Sequence, residues 1–169
     1  LRLLEEQIRS QQLPTGGFLL WRADKPTMDD YIQVPCVFLS AVQAATQSDI
    51  RFGSINSIIK RSREFIIREK SDDDLWRFFG RDSAIGADID DTFYCLAASS
   101  GIARSTVKSA IDCILNISGN GGPLLPTWYR SGPNSVDHTV NANVLHCLGV
   151  LGYREARVNE LASEIHRIL

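Results

Sequence analysis

Apolar residues recur along this chain at helical spacing, and they do so in two alternating grades. Residues 1–12 place Leu1, Leu4 and Ile8 on one face, the spacing of an amphipathic helix. Pro14-Thr15-Gly16-Gly17 ends it, and residues 22–33 read as a polar loop. Residues 36–47 are apolar nearly all round, through Val37, Phe38, Leu39, Ala41, Val42 and Ala44. With Pro35 at the first helical position, that helix is predicted to be buried on most sides. A third helix, capped by Ser54 and running to about Glu69, carries one stripe of Ile55, Ile58, Ile59, Ser62, Phe65 and Ile66. Its Lys60, Arg61, Arg63, Glu64 and Arg68 lie off the stripe. Ser71-Asp72-Asp73-Asp74 breaks it, and 75–80 is a short aromatic segment.

A fourth helix, again with little polar surface, follows to about Ser100, with Gly101 as its C-cap. Residues 104–118 are amphipathic, on Val107, Ala110, Ile111, Ile114 and Leu115. Gly119-Asn120-Gly121-Gly122-Pro123 is a loop, after which 124–129 repeats the aromatic theme. Residues 140–151 are apolar on most faces and end at Gly152. Residues 154–169 carry Val158, Leu161, Ala162, Ile165 and Leu169 on one stripe. Four amphipathic helices therefore alternate with three nearly all-apolar ones, and no strand is expected. The reading is all-α, about seven helices in a single domain spanning 1–169. Trp76 and Trp128 lie 52 residues apart, as do Cys95-Leu96 and Cys147-Leu148. Gln12 to Phe18 begins the same unit earlier, so stacked helical hairpins, with inner helices on one side, make a curved array or a ring.

Composition narrows the function classes. A net charge of −2 carries no basic field for nucleic acid or an anionic membrane. No apolar run approaches the roughly 20 residues that span a bilayer, and none reads as a signal peptide. The chain opens on Leu1 rather than Met, which leaves room for a leading segment. Cys36, Cys95, Cys113 and Cys147 form no Cys-x-x-Cys pair and sit in apolar helices, so buried free thiols in a reducing compartment are expected. The expected location is the cytoplasm, with membrane association left open.

The candidate chemistry lies in Gly86-Ala87-Asp88-Ile89-Asp90-Asp91-Thr92, where three carboxylates fall within four residues just before an apolar helix. Acids this close repel when all are ionised, so one is driven to keep its proton while its neighbours stay charged. That is how a strong general acid is held ready at neutral pH. Asp and Thr at a helix start also cap free N–H groups, which is the ordinary structural role of such residues. Whichever member is the acid should be the one most shielded from water and the one that titrates highest.

Asp88-Ile89-Asp90-Asp91-Thr92 resembles the Asp-x-Asp-Asp-Thr signature of class II terpenoid cyclases, the squalene–hopene cyclase type. Gln12-x-x-x-Gly16-x-Phe18 is similar to their Gln–Trp repeat motif, with Phe for the usual Trp. Asp74-Leu75-Trp76 and Pro126-Thr127-Trp128 resemble degenerate copies. The resemblance covers nearly the whole chain and implies an α/α-toroid of helical hairpins, the prenyltransferase and squalene cyclase repeat architecture. It implies that Asp90 is the proton donor and that Asp88 and Asp91 orient it. The implied substrate is an isoprenoid, a polyprenyl chain protonated at an alkene or epoxide. The resulting cation would be held by aromatic walls drawn from Trp76, Phe78, Phe93, Tyr94, Trp128 and Tyr129, each of which also suits ordinary core packing. Asn141 and Asn143 either line that cavity or hydrogen-bond to neighbouring loops. No cofactor is implied; Mg2+ would enter only with a diphosphate substrate.

The chain has about three and a half helix pairs, where a closed ring of this family has six. In the large cyclases the cavity lies between two such domains. Self-association or a missing second domain is therefore expected to close the concave face. The related protein prenyltransferases bind zinc through Asp, Cys and His; no Asp-x-Cys occurs here, so no metal site is expected. His138 reads as a loop residue, His146 as part of an inner helix and His166 as solvated. A second reading from another class stands beside the enzyme: a non-catalytic toroid-like scaffold that binds an isoprenoid or a protein partner.

Overall fold

The computed structural model describes residues 2–18, 20–22, 25–29, 32–48, 50, 52, 55–78, 80–99, 102–117, 122–129 and 135–168. Seven helices are found among them: α1 (Arg2–Gln11), α2 (Gln33–Gln47), α3 (Asn56–Arg68), α4 (Ile89–Ala98), α5 (Arg104–Leu115), α6 (His138–Val150) and α7 (Ala156–Ile168). The chain is all-α in class. One antiparallel pair, β1 (Leu20–Arg22) with β2 (Lys25–Asp29), replaces part of the loop expected over 22–33. Its register, Leu20 opposite Asp29 and Arg22 opposite Lys25, is interrupted by an irregularity. A three-residue strand gives too short a period-2 signal to stand out from a polar loop.

α4 is central. It packs on α2 along one side and on α6 along the other, while α3 backs α2 and α7 backs α6. α5 adds Ala110, Ile111 and Ile114 to the same core. The outer stripes are buried as their spacing requires: Ile58, Phe65 and Ile66 on α3, and Val158, Leu161 and Ile165 on α7. α1 departs from expectation. Leu4 is half exposed and Leu3 is 81% exposed, whereas Glu5 is buried.

The inner helices are also less enclosed than their composition predicts. On α2, Pro35, Cys36 and Leu39 are buried, but Val37, Ala41 and Ala44 are exposed. On α6, Val144, Cys147 and Leu148 are buried, while Ala142, Gly149 and Val150 face solvent. Among the described residues, each of these two helices packs chiefly on α4 along one flank and on α3 or α7 at its back. Pro35 sits at the third position of α2 rather than the first, where its missing N–H is still one the helix could not satisfy. The caps expected at Ser54 and Gly101 lie outside the described residues; α4 ends at Ala98, with Ser99 as its C-cap.

The repeat is real, but its register differs from the sequence alignment of tryptophans. Asp88 and Asp137 cap α4 and α6 and lie 49 residues apart, not 52. Sixteen residues before Thr92, the backbone N–H of Trp76 donates to the Thr92 hydroxyl at 3.1 Å, and that hydroxyl donates to the Trp76 carbonyl at 3.3 Å. Asn141 brackets Leu125 in the same way: the Leu125 N–H donates to Oδ1 at 2.7 Å, and Nδ2 donates to the Leu125 carbonyl at 2.8 Å. Leu125, not Trp128, is thus the counterpart of Trp76, and both are fully buried. The preceding turn also repeats. The Leu13 N–H donates to the Gly17 carbonyl and that of Ser71 to the Leu75 carbonyl, both at 2.9 Å. The fourth residue of each turn has positive φ, 101° at Gly16 and 64° at Asp74.

Candidate functional site

The acid-bearing turn is pinned before the helix begins. The Asp88 N–H donates to the Trp76 carbonyl at 3.0 Å, the Tyr129 N–H to the Ala87 carbonyl at 2.8 Å, and the Ile89 N–H to the Thr127 carbonyl at 3.1 Å. Two aromatic loops therefore hold one strand-like turn between them and fix the direction in which α4 starts. Asp88 is extended (φ −87°, ψ 126°), and its Oδ1 accepts from the Asp91 N–H at 3.2 Å, an N-cap bond.

The three carboxyls then diverge. Asp88 is buried and spent as the cap. Asp90 is half-buried and turned toward α6, where Asn143 Nδ2 donates to its Oδ2 at 3.3 Å. Asp91 is 2% exposed and lies one helical turn before Cys95, whose thiol touches Cys36 of α2. Asp90 Oδ1 and Asp91 Oδ2 are both buried without a hydrogen-bond partner among the described residues. Burial raises all three above the ordinary carboxyl range. Asp90 rises to about 6, where the Asn143 hydrogen bond works against burial and the charges of Asp88 and Asp137 add to it. Asp91 rises to about 8, through burial first and then the charges of Asp88 and Asp90. For Asp88, burial outweighs the N–H groups of Asp91 and Asp90, which pull it down.

This order corrects the sequence expectation: Asp91, not Asp90, is the most shielded acid and titrates highest. The reason is helical geometry. Adjacent residues lie about 100° apart around the axis, so Asp91 falls into the α2 seam while Asp90 falls beside the polar Asn143.

A groove of about 300 Å³ opens one turn beyond the Asp90–Asn143 pair. Ser40, Gln43, Ala44 and Gln47 of α2, Tyr94 and Ala97 of α4, and His146, Cys147 and Val150 of α6 line it. The C-terminal halves of all three inner helices contribute, so these helices run the same way. Asp90 acts on both walls, since its charge helps raise the Tyr94 hydroxyl and the Cys147 thiol, though burial is the larger cause for each. Gln43, Ala44, Gln47, His146 and Val150 are exposed, so the groove is open to solvent. A second apolar cleft of about 390 Å³, between α2 and α3, includes Val42, Phe52, Ile55 and Ile59 and lies away from the acids.

The remaining residues singled out from sequence fall into two sets. Tyr94 and Asn143 stand at the groove and its acid. Trp76 and Phe93 are wholly buried, and the Trp76 indole N–H donates to the Ile66 carbonyl at 2.7 Å, so it is a core residue tying α3 to the acid-bearing turn. Tyr129 is buried with its hydroxyl 2.9 Å from Cys113 Sγ. Phe78 and Trp128 are partly buried in the two flanking loops, Trp128 paired through its backbone with Asp88. Asn141 is fully buried and hydrogen-bonds the loop at Leu125, whereas Asn143 donates to Asp90. His146 and Cys147 were not singled out for this site; their spacing of three and four residues from Asn143 on one helix is the signal that places them there. His138 and His166 are exposed, His138 as the first residue of α6 rather than in a loop. Among the described residues, no three potential ligands are placed to hold a metal ion, and no helix is long and apolar enough to cross a membrane.

The sequence matches no known protein-family model and no curated protein.

Proposed function

We propose that this chain is a class II terpenoid-cyclase-like protein of α/α-toroid type, in which Asp90 is the general acid for a polyprenyl substrate. One observation carries the reading: Asp90 Oδ1 is buried without a partner among the described residues, one turn before a groove between the inner helices, while Oδ2 is held by Asn143. A donor must touch its substrate, and Asp90 is the one of the three acids that is not shut in. Asn143 fixes the plane of the carboxyl, leaving Oδ1 to carry the proton. With its value already raised by burial from 3.8 to about 6, Asp90 needs only the displacement of water by an apolar chain to become protonated near neutral pH. Asp91, neutral at pH 7, keeps a second negative charge away from it. The step moves the Asp90 proton to a terminal alkene carbon or an epoxide oxygen. The cation left in the chain is attacked by its own double bonds and ends by losing a proton. Tyr94, which lines the groove, would be the aromatic facing that cation.

The open groove favours a second reading on a specific ground. A carbocation needs water excluded, and five of the groove's lining residues are exposed. A non-catalytic scaffold would hold an isoprenoid or a protein partner on the same surface without turnover. Incubation with squalene, oxidosqualene and geranylgeranyl diphosphate, followed by product analysis, separates the two. The enzyme reading expects cyclic products that disappear in Asp90→Asn. Products that survive that substitution remove Asp90 from the role, and bound isoprenoid without turnover supports the scaffold.

A further inference from the structure

We propose that Cys36 and Cys95 form a redox-responsive pair, which a small peroxide converts into a disulfide stapling α2 to α4. The two sulfurs lie 3.4 Å apart, both residues are 0% exposed, and both thiols are free. They are the point at which the central helix meets its first neighbour, Cys36 in the first turn of α2 and Cys95 in the second half of α4. A disulfide holds its sulfurs at about 2.05 Å, so closure asks each side chain to move by well under 1 Å. Cys113 has a different neighbour, the Tyr129 hydroxyl, and Cys147 lines the groove on α6. Proximity therefore selects one pairing among the four cysteines. The inference rests on the α2–α4 seam and is independent of any activity at Asp90.

The chemistry balances with a peroxide as the oxidant. One thiolate attacks a peroxide oxygen; the O–O bond breaks, an S–O bond forms, and water or an alcohol leaves after proton transfer. The second thiol attacks the resulting sulfenic sulfur; the S–S bond forms, the S–O bond breaks, and water leaves. Two thiols are oxidised and one peroxide is reduced. Burial raises the Cys95 thiol, so thiolate is scarce and the first step is slow. The second step is fast, because its partner is already in contact. An uncharged peroxide suits the seam, which admits no bulky oxidant. The product links α4 to α2 one turn beyond Asp91, since Cys95 follows Asp91 by one turn.

The test uses the full chain treated with hydrogen peroxide, then quenched with a maleimide in denaturant and mapped by mass spectrometry. The expected product is one linked peptide pair, Cys36 with Cys95, two hydrogens lighter than the reduced form. Its thermal midpoint should lie above that of the reduced protein, and the gain should vanish in Cys95→Ala. A parallel equilibration in peroxide with sub-denaturing urea removes slow access as an explanation. Cys36 and Cys95 both recovered as maleimide adducts under both conditions would overturn the proposal. So would a dominant link through Cys113 or Cys147, or a lowered midpoint in the linked form.

Discussion

At the scale of single residues, the acid cluster shows how one turn of helix assigns three identical side chains to three tasks. Asp88 is a cap, Asp90 meets an amide, and Asp91 is enclosed. Asp91 has a measurable consequence. Its ordinary value of 3.8 becomes about 8 in the folded chain. Between those values the unfolded chain releases the proton while the folded chain keeps it. Stability linked to the neutral carboxyl is therefore complete below about pH 4 and is lost as pH rises through about 8, at up to about 1.4 kcal/mol per pH unit. Asp91→Asn keeps the shape and removes the titration. Urea unfolding from about pH 5 to pH 8 should show stability falling in the wild type and a clearly shallower fall in the variant. Parallel slopes would show that Asp91 does not carry its proton into the folded state.

At the scale of elements, the repeated turns explain what the pattern of residue types could and could not convey. Gly16 combines φ of 101° with a close approach: an added Cβ would stand 2.3 Å from the Arg61 carbonyl oxygen. Gly16→Ala thus meets both left-handed strain and backbone contact, and should cost about 2 kcal/mol or more. Asp74 holds the same place in the next copy at φ 64°. Asp74→Gly relieves about 1 kcal/mol of strain but removes the ion pair with Lys70, so its net effect should be small. Chemical denaturation of both variants compares the two turns directly; a mild Gly16→Ala would mean that α3 shifts to make room. The turns were legible because Gly and Asp advertise positive φ. The outer helices were legible because a half-buried helix must alternate, as Ile58, Ser62, Phe65 and Ile66 do. The register of the third copy was not: Trp128 attracts the eye, yet Asn141 marks Leu125 as the equivalent position through hydrogen bonds that no spacing rule reveals. The acids were visible as a group, but their ranking depends on which neighbour each one faces, a property of the α2 and α6 seams rather than of the motif.

At the scale of the whole molecule, the apolar inner helices and their exposure stand in tension. Val37 on α2 is 53% exposed and Val150 on α6 is 47% exposed, although both helices are rich in apolar residues. Leu3 and Leu4 add a second exposed apolar site on α1. Each apolar square ångström removed from water contributes roughly 25 cal/mol, so covering either face with a second copy is favourable if the shapes match. The expected behaviour is concentration-dependent self-association, seen as an apparent mass that rises with protein concentration in static light scattering. Leu3→Glu combined with Leu4→Glu tests the α1 site, and Val37→Glu combined with Val150→Glu tests the exposed apolar residues of α2 and α6. None of the four residues is buried, so the substitutions should leave the fold intact while the responsible pair abolishes association. The outcome also bears on the chemistry. Association lost through Val150→Glu alone means that the groove beyond Asp90, which Val150 lines, is covered in the assembly and shielded from water, as cation chemistry requires. Association lost through the α1 pair leaves that groove open. A wild-type mass that stays monomeric across the range would mean that both faces tolerate solvent, and would shift the balance from the cyclase toward the scaffold.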